Sequence, residues 1–166
     1  MTDLNPLLSE DFRIPFDRIR PEHVEPGVRE VLRLGQLRVE ALAGDDVSTR
    51  TWTNTLDRLD EIARWVSERI GPVGHLLGVN ETGALRDAYN AVLPEISGFW
   101  TRLPLNGALW EKIKGYAATD EARQLNGIRR RHLDKTLLEF RRAGADLPVE
   151  GKAMLEKITL ELAQVE

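Results

Sequence analysis

The side chains best suited to chemistry in this sequence are three histidines, His23, His75 and His132. A zinc-hydrolase helix carries the pattern H-E-x-x-H, which places two histidine ligands on one face beside a catalytic glutamate. Each of the three histidines is instead followed by an aliphatic residue, and they lie more than fifty residues apart. The acidic residues form no evident cluster on a helix face. We therefore predict no metal ligand in this chain.

Nucleophilic catalysis is disfavoured on similar grounds. The chain has no cysteine, which excludes a thiolate nucleophile, a thiolate metal site and a disulfide framework. No serine lies in a G-x-S-x-G pattern. The segment 151–153, Gly-Lys-Ala, lacks both the following Ser/Thr and the upstream glycine of a phosphate-binding loop. The sequence predicts no catalytic residue.

Some residues have both a functional and a structural interpretation. The arginine run 129–131 would suit an anionic ligand or RNA, but consecutive arginines fan around a helix, so a solvated face is favoured. His75 would suit a ligand channel, although a hydrogen-bonded structural histidine is favoured. The tryptophans would suit either a peptide-binding surface or core packing. Packing is favoured for Trp52 and Trp100, and both interpretations stay open for Trp65 and Trp110.

Composition restricts the partners. The 166 residues suit one domain, and a formal net charge of −4 argues against a duplex-DNA binder, so we expect no nucleic-acid partner. No run of 18 apolar residues occurs, so we expect no membrane partner. The first residues, MTDLNP, lack the basic and apolar regions of a secretory signal. The expected location is the cytoplasm.

Residues 1–20 are predicted to form an extended segment packed on a helical domain that spans residues 21–166. Prolines at positions 6, 15 and 21 hold the residues before them away from helical geometry. The segment also carries apolar side chains, which we expect to lie across the helical core. They are Leu7, Leu8, Phe12, Ile14, Phe16 and Ile19.

From Pro21 onward apolar residues recur at three- and four-residue steps, and no useful strand alternation occurs. The predicted fold class is all-α, a bundle of about six helices. The second helix is predicted to begin near Thr51 and to be kinked or broken at Pro72. Its glycines 71, 74 and 78 would share a face. Because each weakens the helix by roughly 1 kcal/mol, we predict that another backbone packs closely against them.

The third helix is predicted to begin at residue 82 or 83 and to bend at Pro94. A turn at residues 103–106 would follow, with Asn106 as the N-cap of a short helix. A long helix is predicted over about 120–143, with Ile128 among its inward residues and Gly144 as the residue that ends it.

The last helix is predicted to begin after Pro148 and to present an apolar stripe that must be covered by the bundle or by another chain. No glycine, proline or basic turn ends this helix at Glu166, which favours a domain truncated before a further one. A homodimer would use the same stripe. Its proposed contact residues are Leu155, Ile158, Leu162 and Val165.

Six segments, read in order, resemble the beginning of one family, the zinc oligopeptidases typified by oligopeptidase A and thimet oligopeptidase. Thr51-Trp52-Thr53-Asn54 resembles the family's T-W-E-N, with threonine in place of glutamate, and residues 71–76, GPVGHL, resemble its S-P-V-S-H-L, with glycine for both serines. The other segments are residues 5–8, 15–26, 80–94 and 140–148.

The resemblance implies a helical N-terminal region that forms part of the wall of a narrow substrate channel. In the family, zinc is bound by an H-E-x-x-H helix far downstream, so zinc and a catalytic domain of the same longer chain are implied, together with short peptides as substrates. This chain would be inactive alone and would need no cofactor of its own. His75, Asn80 and Tyr89 lie in motif-like segments and are the candidate channel-facing residues.

An alternative of a different class is a stand-alone helical interaction module without enzymatic activity. Such a module would dimerise through its last helix or bind a catalytic half supplied as a separate polypeptide. The reading frame beyond residue 166 distinguishes the two hypotheses.

Overall fold

A computed structural model of the chain describes residues 5–45 and 49–162. Within these residues the chain forms seven α-helices and no strand, which confirms the predicted all-α class. The helices are α1 (Pro21–Gly44), α2 (Arg58–Val79), α3 (Gly83–Leu105), α4 (Gly107–Ala117), α5 (Asp120–Gln124), α6 (Gly127–Arg142) and α7 (Val149–Leu162). None of them combines the length and apolar character needed to cross a membrane.

The N-terminal segment is attached to α1 through Asn5. Its side-chain amide donates to the carbonyl oxygen of His23 at 2.8 Å, and its Oδ1 accepts from the backbone N–H of Leu7 at 3.0 Å. Pro6–Leu8 form a single 3₁₀ turn. Leu7 and Ile19 are buried, as expected.

The middle of this segment departs from the expectation. Phe12 is fully exposed, and Ile14 and Phe16 are 49% and 38% exposed. A turn in which Arg18 N–H donates to the Pro15 carbonyl at 2.9 Å reverses the chain. The segment is therefore held at its two ends, and its central side chains do not reach the core.

Helix α1 forms the centre of the bundle and packs against both α2 and α3. Its buried face includes Val24, Val28 and Val31, at the helical spacing that the sequence predicted. Gly35 lies where the three helices meet. A Cβ added there would lie 2.8 Å from Val66 Cγ2 and 3.3 Å from the Phe99 ring. The close approach between helices thus occurs at α1.

The start of the second helix is irregular. Thr51 N–H donates to Asn54 Oδ1 at 2.9 Å, and Thr53–Asp57 form a π-helical turn that leads directly into α2. In this turn the indole N–H of Trp52 donates to Asp57 Oδ1, five residues later. The predicted start near Thr51 agrees with this arrangement.

Two predictions for the rest of α2 need correction. The helix is not broken at Gly71-Pro72 but continues to Val79. The prediction that a backbone packs against glycines 71, 74 and 78 does not hold within residues 5–45 and 49–162, because an added Cβ at any of the three would meet none of their atoms within 4 Å. The buried residues of this half of α2 are Ile70, Pro72 and Val73. The predicted bends at Pro72 and Pro94 remain predictions.

Helix α3 extends further than predicted. Thr82 is its N-cap, accepting the backbone N–H of Leu85 at 3.2 Å, but residues 103–105 belong to the helix rather than to a turn. Asn106 is the N-cap of α4, as predicted, and accepts from Leu109 N–H at 3.0 Å. Asn106 alone therefore separates α3 from α4, and no loop joins the two helices.

The predicted long helix over 120–143 is two helices. Thr119 caps α5, and the chain leaves helical geometry at Leu125 and Asn126 before α6 begins at Gly127, whose φ is +52°. Glycine adopts this left-handed geometry without a Cβ clash. The break turns Ile128 outward, where it is 88% exposed, so its predicted inward position is wrong.

Helix α6 ends in a Schellman motif around Gly144, as the sequence predicted. Gly144 has φ +94°, its N–H donates to the Arg141 carbonyl at 3.0 Å, and Ala145 N–H donates to the Phe140 carbonyl at 2.9 Å. The motif directs the chain to α7, which lies against α3.

The apolar stripe of α7 is only partly covered. Leu155 is half-buried, whereas Met154, Ile158 and Leu162 are 64%, 42% and 62% exposed. Val165, the fourth residue of the predicted dimer contact, lies outside the described residues. The bundle itself does not cover this face.

A buried lysine joins α4 to the end of α1. Lys112 is 3% exposed, and its Nζ donates to the carbonyl oxygens of Leu42 at 2.9 Å and Asp45 at 3.2 Å. Asp45 Oδ2 lies 3.6 Å from the same ammonium group. The lysine thus supplies donors to carbonyl groups that the helix leaves unpaired at its C-terminus.

Candidate functional site

The three candidate channel residues lie around the connection between α2 and α3. His75 is exposed on α2, Asn80 is the exposed C-cap of that helix, and Tyr89 is half-buried on α3 against the core. Asn80 N–H donates to the Leu76 carbonyl at 2.8 Å. No hydrogen bond or ring contact joins these three described side chains. They share one end of the molecule without forming a single cluster.

His75 packs against the N-terminal segment. Its ring centroid lies 5.4 Å from that of Phe16, with the planes inclined by 52°. The imidazole is on the same open face of α2 as Gly71, Gly74 and Gly78, next to the exposed Val79. This part of α2 therefore presents an uncovered surface that combines glycine backbone, an imidazole and an apolar side chain.

A second polar cluster lies between the first half of α2 and α6. His132 Nε2 lies 2.9 Å from Asp60 Oδ2, and the His132 ring is 5.6 Å from the Trp52 ring. Partial burial raises the pKa of the Asp60 carboxyl, although the nearby His132 opposes this shift. Burial likewise raises the pKa of Tyr116, whose hydroxyl has no hydrogen-bond partner among the described residues. This cluster joins two helices.

The histidines do not fit a zinc site. His23 Nδ1 accepts the backbone N–H of Arg20 at 3.1 Å, the His75 ring contacts the tilted ring of Phe16, and His132 lies beside Asp60. Over the described ranges, no three side chains of His, Asp or Glu come together as metal ligands. Each histidine has a local partner and is separate from the other two.

The arginine run of α6 is a solvated face, as the sequence favoured. Arginines 129–131 are all exposed. Arg130 pairs with Asp134 at 2.8 Å, and Arg129 lies over the Trp52 ring at 5.2 Å. Asp134 and the Trp52 ring therefore each engage a different arginine of the run.

The two tryptophans that the sequence left open have different surroundings. Trp110 is a core residue, 2% exposed, whose indole N–H donates to Asp146 Oδ1 at 2.7 Å. Trp65 is partly buried against the core and contacts two arginines. The guanidinium carbon of Arg38 lies 3.6 Å from its ring centroid and that of Arg69 lies 4.1 Å away.

Trp65 and its arginines line a groove between the N-terminal segment and helices α1 and α2. The cavity has a volume of about 680 Å³, within the range of roughly 300–1,000 Å³ typical of small-ligand sites. The segment contributes one wall through residues 6–19, and the helices contribute the other. We call it the Trp65 groove.

The sequence analysis missed this groove. The spacing of Trp65 and Arg69, four residues apart on a predicted helix, indicates that their side chains meet. Arg38 belongs to another helix, and its contribution depends on how α1 packs against α2. The groove also requires the path of the N-terminal segment, which no helical periodicity specifies.

Known proteins similar to this chain are oligopeptidases. Residues 28–152 match the profile of the family described as neurolysin/thimet oligopeptidase, N-terminal domain. Oligopeptidase A of Escherichia coli strain K12 is 29% identical over 161 residues, and a probable cytosolic oligopeptidase A of Arabidopsis thaliana is 28% identical over the same number. A dipeptidyl carboxypeptidase of Salmonella typhimurium is 26% identical over 163 residues.

These alignments cover the chain almost completely but the relatives only in part. The E. coli and Arabidopsis alignments each cover 97% of this chain, and they cover 24% and 23% of those relatives; the Salmonella alignment covers 96% and 24%. The chain therefore spans about a quarter of the length of the relatives it matches. The profile match covers most of the helical bundle, and the chain belongs to the neurolysin/thimet oligopeptidase N-terminal domain family.

Proposed function

We propose that this chain serves as the N-terminal helical region of a cytoplasmic zinc oligopeptidase, where it forms part of the substrate-channel wall and leaves bond cleavage to another region. The observation that carries this proposal is the family match over residues 28–152, combined with relatives about four times as long. The name of the Arabidopsis relative supports the cytoplasmic location.

The positions of the histidines agree with the proposal that another region carries out bond cleavage. The sequence has no H-E-x-x-H, and each histidine is engaged with a neighbour that differs from one histidine to the next. Zinc would be held by the remaining part of a longer protein, where it would activate the attacking water. This chain would contribute shape, restricting access to short, unfolded peptides.

We place the channel-facing surface at the α2–α3 end, with His75, Asn80 and Tyr89. The open glycine face of α2 supports this choice, because it gives an incoming peptide access to the helix without large side chains in the way. The exposed amide of Asn80 offers both a donor and an acceptor for peptide groups.

The test is zinc analysis and peptide hydrolysis with the purified 166-residue chain. We expect no stoichiometric zinc and no cleavage of short peptides. Chelator-sensitive hydrolysis that co-purifies with the chain and is abolished by a histidine substitution would contradict the proposal. Joining the chain to the remaining three quarters of a relative should restore hydrolysis, and His75→Ala and Asn80→Ala in that chimera should change KM more than kcat.

A second candidate function is a stand-alone interaction module, favoured by the exposed apolar residues of α7. Met154, Ile158 and Leu162 lie on a helix whose contacts with the bundle are confined to a few elements. A second copy of the chain would cover them in a homodimer, and a catalytic half supplied separately would cover them in a complex.

Sedimentation of the wild type and of an Ile158→Ser/Leu162→Ser variant separates the candidates. A dimer that becomes a monomer in the double variant supports the module. A monomer at all concentrations, together with an H-E-x-x-H motif in the reading frame beyond residue 166, supports the peptidase region.

A further inference from the structure

We propose that the Trp65 groove binds a small organic acid with an apolar body, its carboxylate held by the guanidinium groups of Arg38 and Arg69. The inference goes beyond the proposed peptidase role, because it assigns a ligand to a cavity on the N-terminal segment and not to the α2–α3 end. Its test is direct binding and does not depend on hydrolysis.

The charges of the two arginines are not neutralised by an ion pair within the described ranges. Neither Arg38 nor Arg69 has a carboxylate oxygen within 4.0 Å there. Other arginines of the same helices do: Arg33 pairs with Glu30 at 2.8 Å on α1, and Arg58 pairs with Glu61 at 3.2 Å on α2. Two guanidinium groups without an ion pair that line one groove favour an anionic ligand, because carboxylates accept charge-assisted hydrogen bonds from such groups.

Arg69 also carries an unsatisfied donor. Its Nε is buried without a hydrogen-bond partner among the described residues, although one terminal nitrogen is 3.4 Å from the Trp65 carbonyl oxygen. Burial, and then the charge of Arg38, lower the pKa of Arg69. A buried donor without a partner costs free energy, and a carboxylate bound at the terminal nitrogens would reduce the repulsion between the two arginine charges.

The rest of the lining selects the body of the ligand. Ile14, Pro15 and Pro72 supply apolar surface, and Phe12, which also lines the groove, is fully exposed among the described residues. Exposed aromatic surface next to a cavity is stabilised when an apolar group covers it. An aromatic or branched aliphatic acid matches both parts of the groove.

Three acids also line the groove, and two of them have cationic partners. Asp11 pairs with Arg18 at 3.3 Å and Glu68 with Arg64 at 3.9 Å. Glu10 is close enough to raise the pKa of Arg69 but forms no ion pair within 4.0 Å in the described part of the chain. Glu10 would therefore repel a bound carboxylate, and its removal should strengthen binding.

The experiment is isothermal titration calorimetry of the 166-residue chain with N-acetyl-leucyl-phenylalanine, its C-terminal amide and 4-phenylbutyrate. The indole N–H signal of Trp65 in an NMR spectrum, assigned with Trp65→Phe, reports whether binding occurs at the groove. We expect both acids to bind and the amide to bind at least tenfold more weakly. Tighter binding of the peptide acid identifies peptide ends as the ligand source, and equal binding indicates acids in general.

Substitutions at the groove test where the carboxylate of the ligand binds. Arg38→Gln and Arg69→Gln should each weaken binding about fivefold to tenfold, whereas the ion-paired controls Arg33→Gln and Arg58→Gln should not change it. Glu10→Gln should strengthen binding about two- to threefold. Arg69→Lys keeps the charge and provides a folded variant if Arg69→Gln loses stability; it should retain part of the affinity.

Several results would overturn the proposal. These are equal binding of the acid and the amide, unchanged affinity in an Arg38→Gln/Arg69→Gln double variant with a wild-type melting curve, and the absence of any binding at millimolar acid. Binding that leaves the Trp65 signal in place would also overturn it.

Discussion

Helices α1 and α2 both carry glycines in their interior, but these glycines have opposite surroundings. At Gly35 of α1 an added Cβ would lie 2.8 Å from Val66, inside the core, whereas at Gly74 of α2 it would meet nothing within 4 Å. The same residue type thus permits close helix packing in one helix and leaves a bare surface in the other. A glycine in a helix pattern does not by itself reveal which role it has.

This difference shows which packing contacts stabilise each helix. Helix α1 contacts two long helices, so the packing around Gly35 offsets the poor helix propensity of glycine. The second half of α2 buries Ile70, Pro72 and Val73 on one side only. Its glycines weaken the helix without a packing gain inside this chain.

Gly35→Ala should have the largest effect. The added methyl group overlaps Val66 Cγ2 and approaches the Phe99 ring, and both side chains are buried and enclosed by the core. Overpacking costs about 1–3 kcal/mol, partly offset by roughly 1 kcal/mol of helix propensity. We expect a net loss of up to about 2 kcal/mol in the free energy of unfolding, measured by urea denaturation.

The matched control is Gly44→Ala at the end of the same helix, where an added Cβ meets no atom of the described part of the chain within 4 Å. It should not reproduce the loss. Equal destabilisation by both variants would contradict the close packing at Gly35.

Gly74→Ala should have the opposite sign. The alanine methyl group enters open space and reduces the flexibility of the unfolded chain, so we expect a gain of about 0.5–1 kcal/mol in unfolding free energy. Thermal denaturation at several protein concentrations measures it. A loss of stability that depends on concentration would instead show that another copy of the chain covers this face.

Gly27→Ala tests a contact between α1 and the N-terminal segment. The added Cβ would lie 2.7 Å from Asn5 Oδ1 and displace the side chain that donates to the His23 carbonyl. Losing the two hydrogen bonds of Asn5, about 1 kcal/mol each, outweighs the gain of about 1 kcal/mol in helix propensity, so we expect a net loss of about 1 kcal/mol in the free energy of unfolding. Proteolysis within residues 9–18 should accelerate several-fold, and an unchanged cleavage rate would contradict the role of Asn5.

Asp60→Asn tests the first half of α2, which is joined to α6, and should have the smallest effect. Burial raises the native pKa of Asp60 above its unfolded value of about 3.9. The native state therefore binds more protons in this window, and stability falls as pH rises from the unfolded to the native pKa. Urea denaturation measured between pH 3 and 6 should show that the free energy of unfolding of Asp60→Asn lacks this decrease with rising pH.

Glu30→Gln provides the contrasting case for the pH series. The hydrogen bond from Arg33 lowers the pKa of Glu30, so its contribution to stability is present above the unfolded pKa and is lost as pH falls. The two variants should thus change the pH dependence of stability in opposite directions. Changes in the same direction would contradict one of the two pKa shifts.

The sequence predicted the parts of the fold that depend on local chemistry. Thr82 and Asn106 have short polar side chains that accept backbone N–H groups, and Gly144 adopts a positive φ, so these boundaries were identified correctly. The break before α6 was missed because Gly127 interrupts an otherwise helical stretch of polar residues, where glycine is also tolerated inside a helix.

The contacts that depend on tertiary packing were not predictable in the same way. The partner of Arg38 is on another helix, and the buried position of Lys112 depends on carbonyl groups about seventy residues earlier in the chain. The candidate residues His75, Asn80 and Tyr89 were chosen from motif resemblance, and their common end of the molecule follows from the tight connection between α2 and α3. Their role at a channel remains a proposal.

The enclosed ammonium group of Lys112 has a practical consequence for following the folding of this protein. Acylating reagents modify lysines at rates that depend on access to a free amine, and Lys112 is engaged by two carbonyl oxygens and shielded from solvent. Its modification therefore requires α4 to separate from the end of α1. The rate at which Lys112 is labelled, followed by mass spectrometry, would therefore measure how often this opening occurs. The labelling rates of the surface lysines of the same molecule provide the reference.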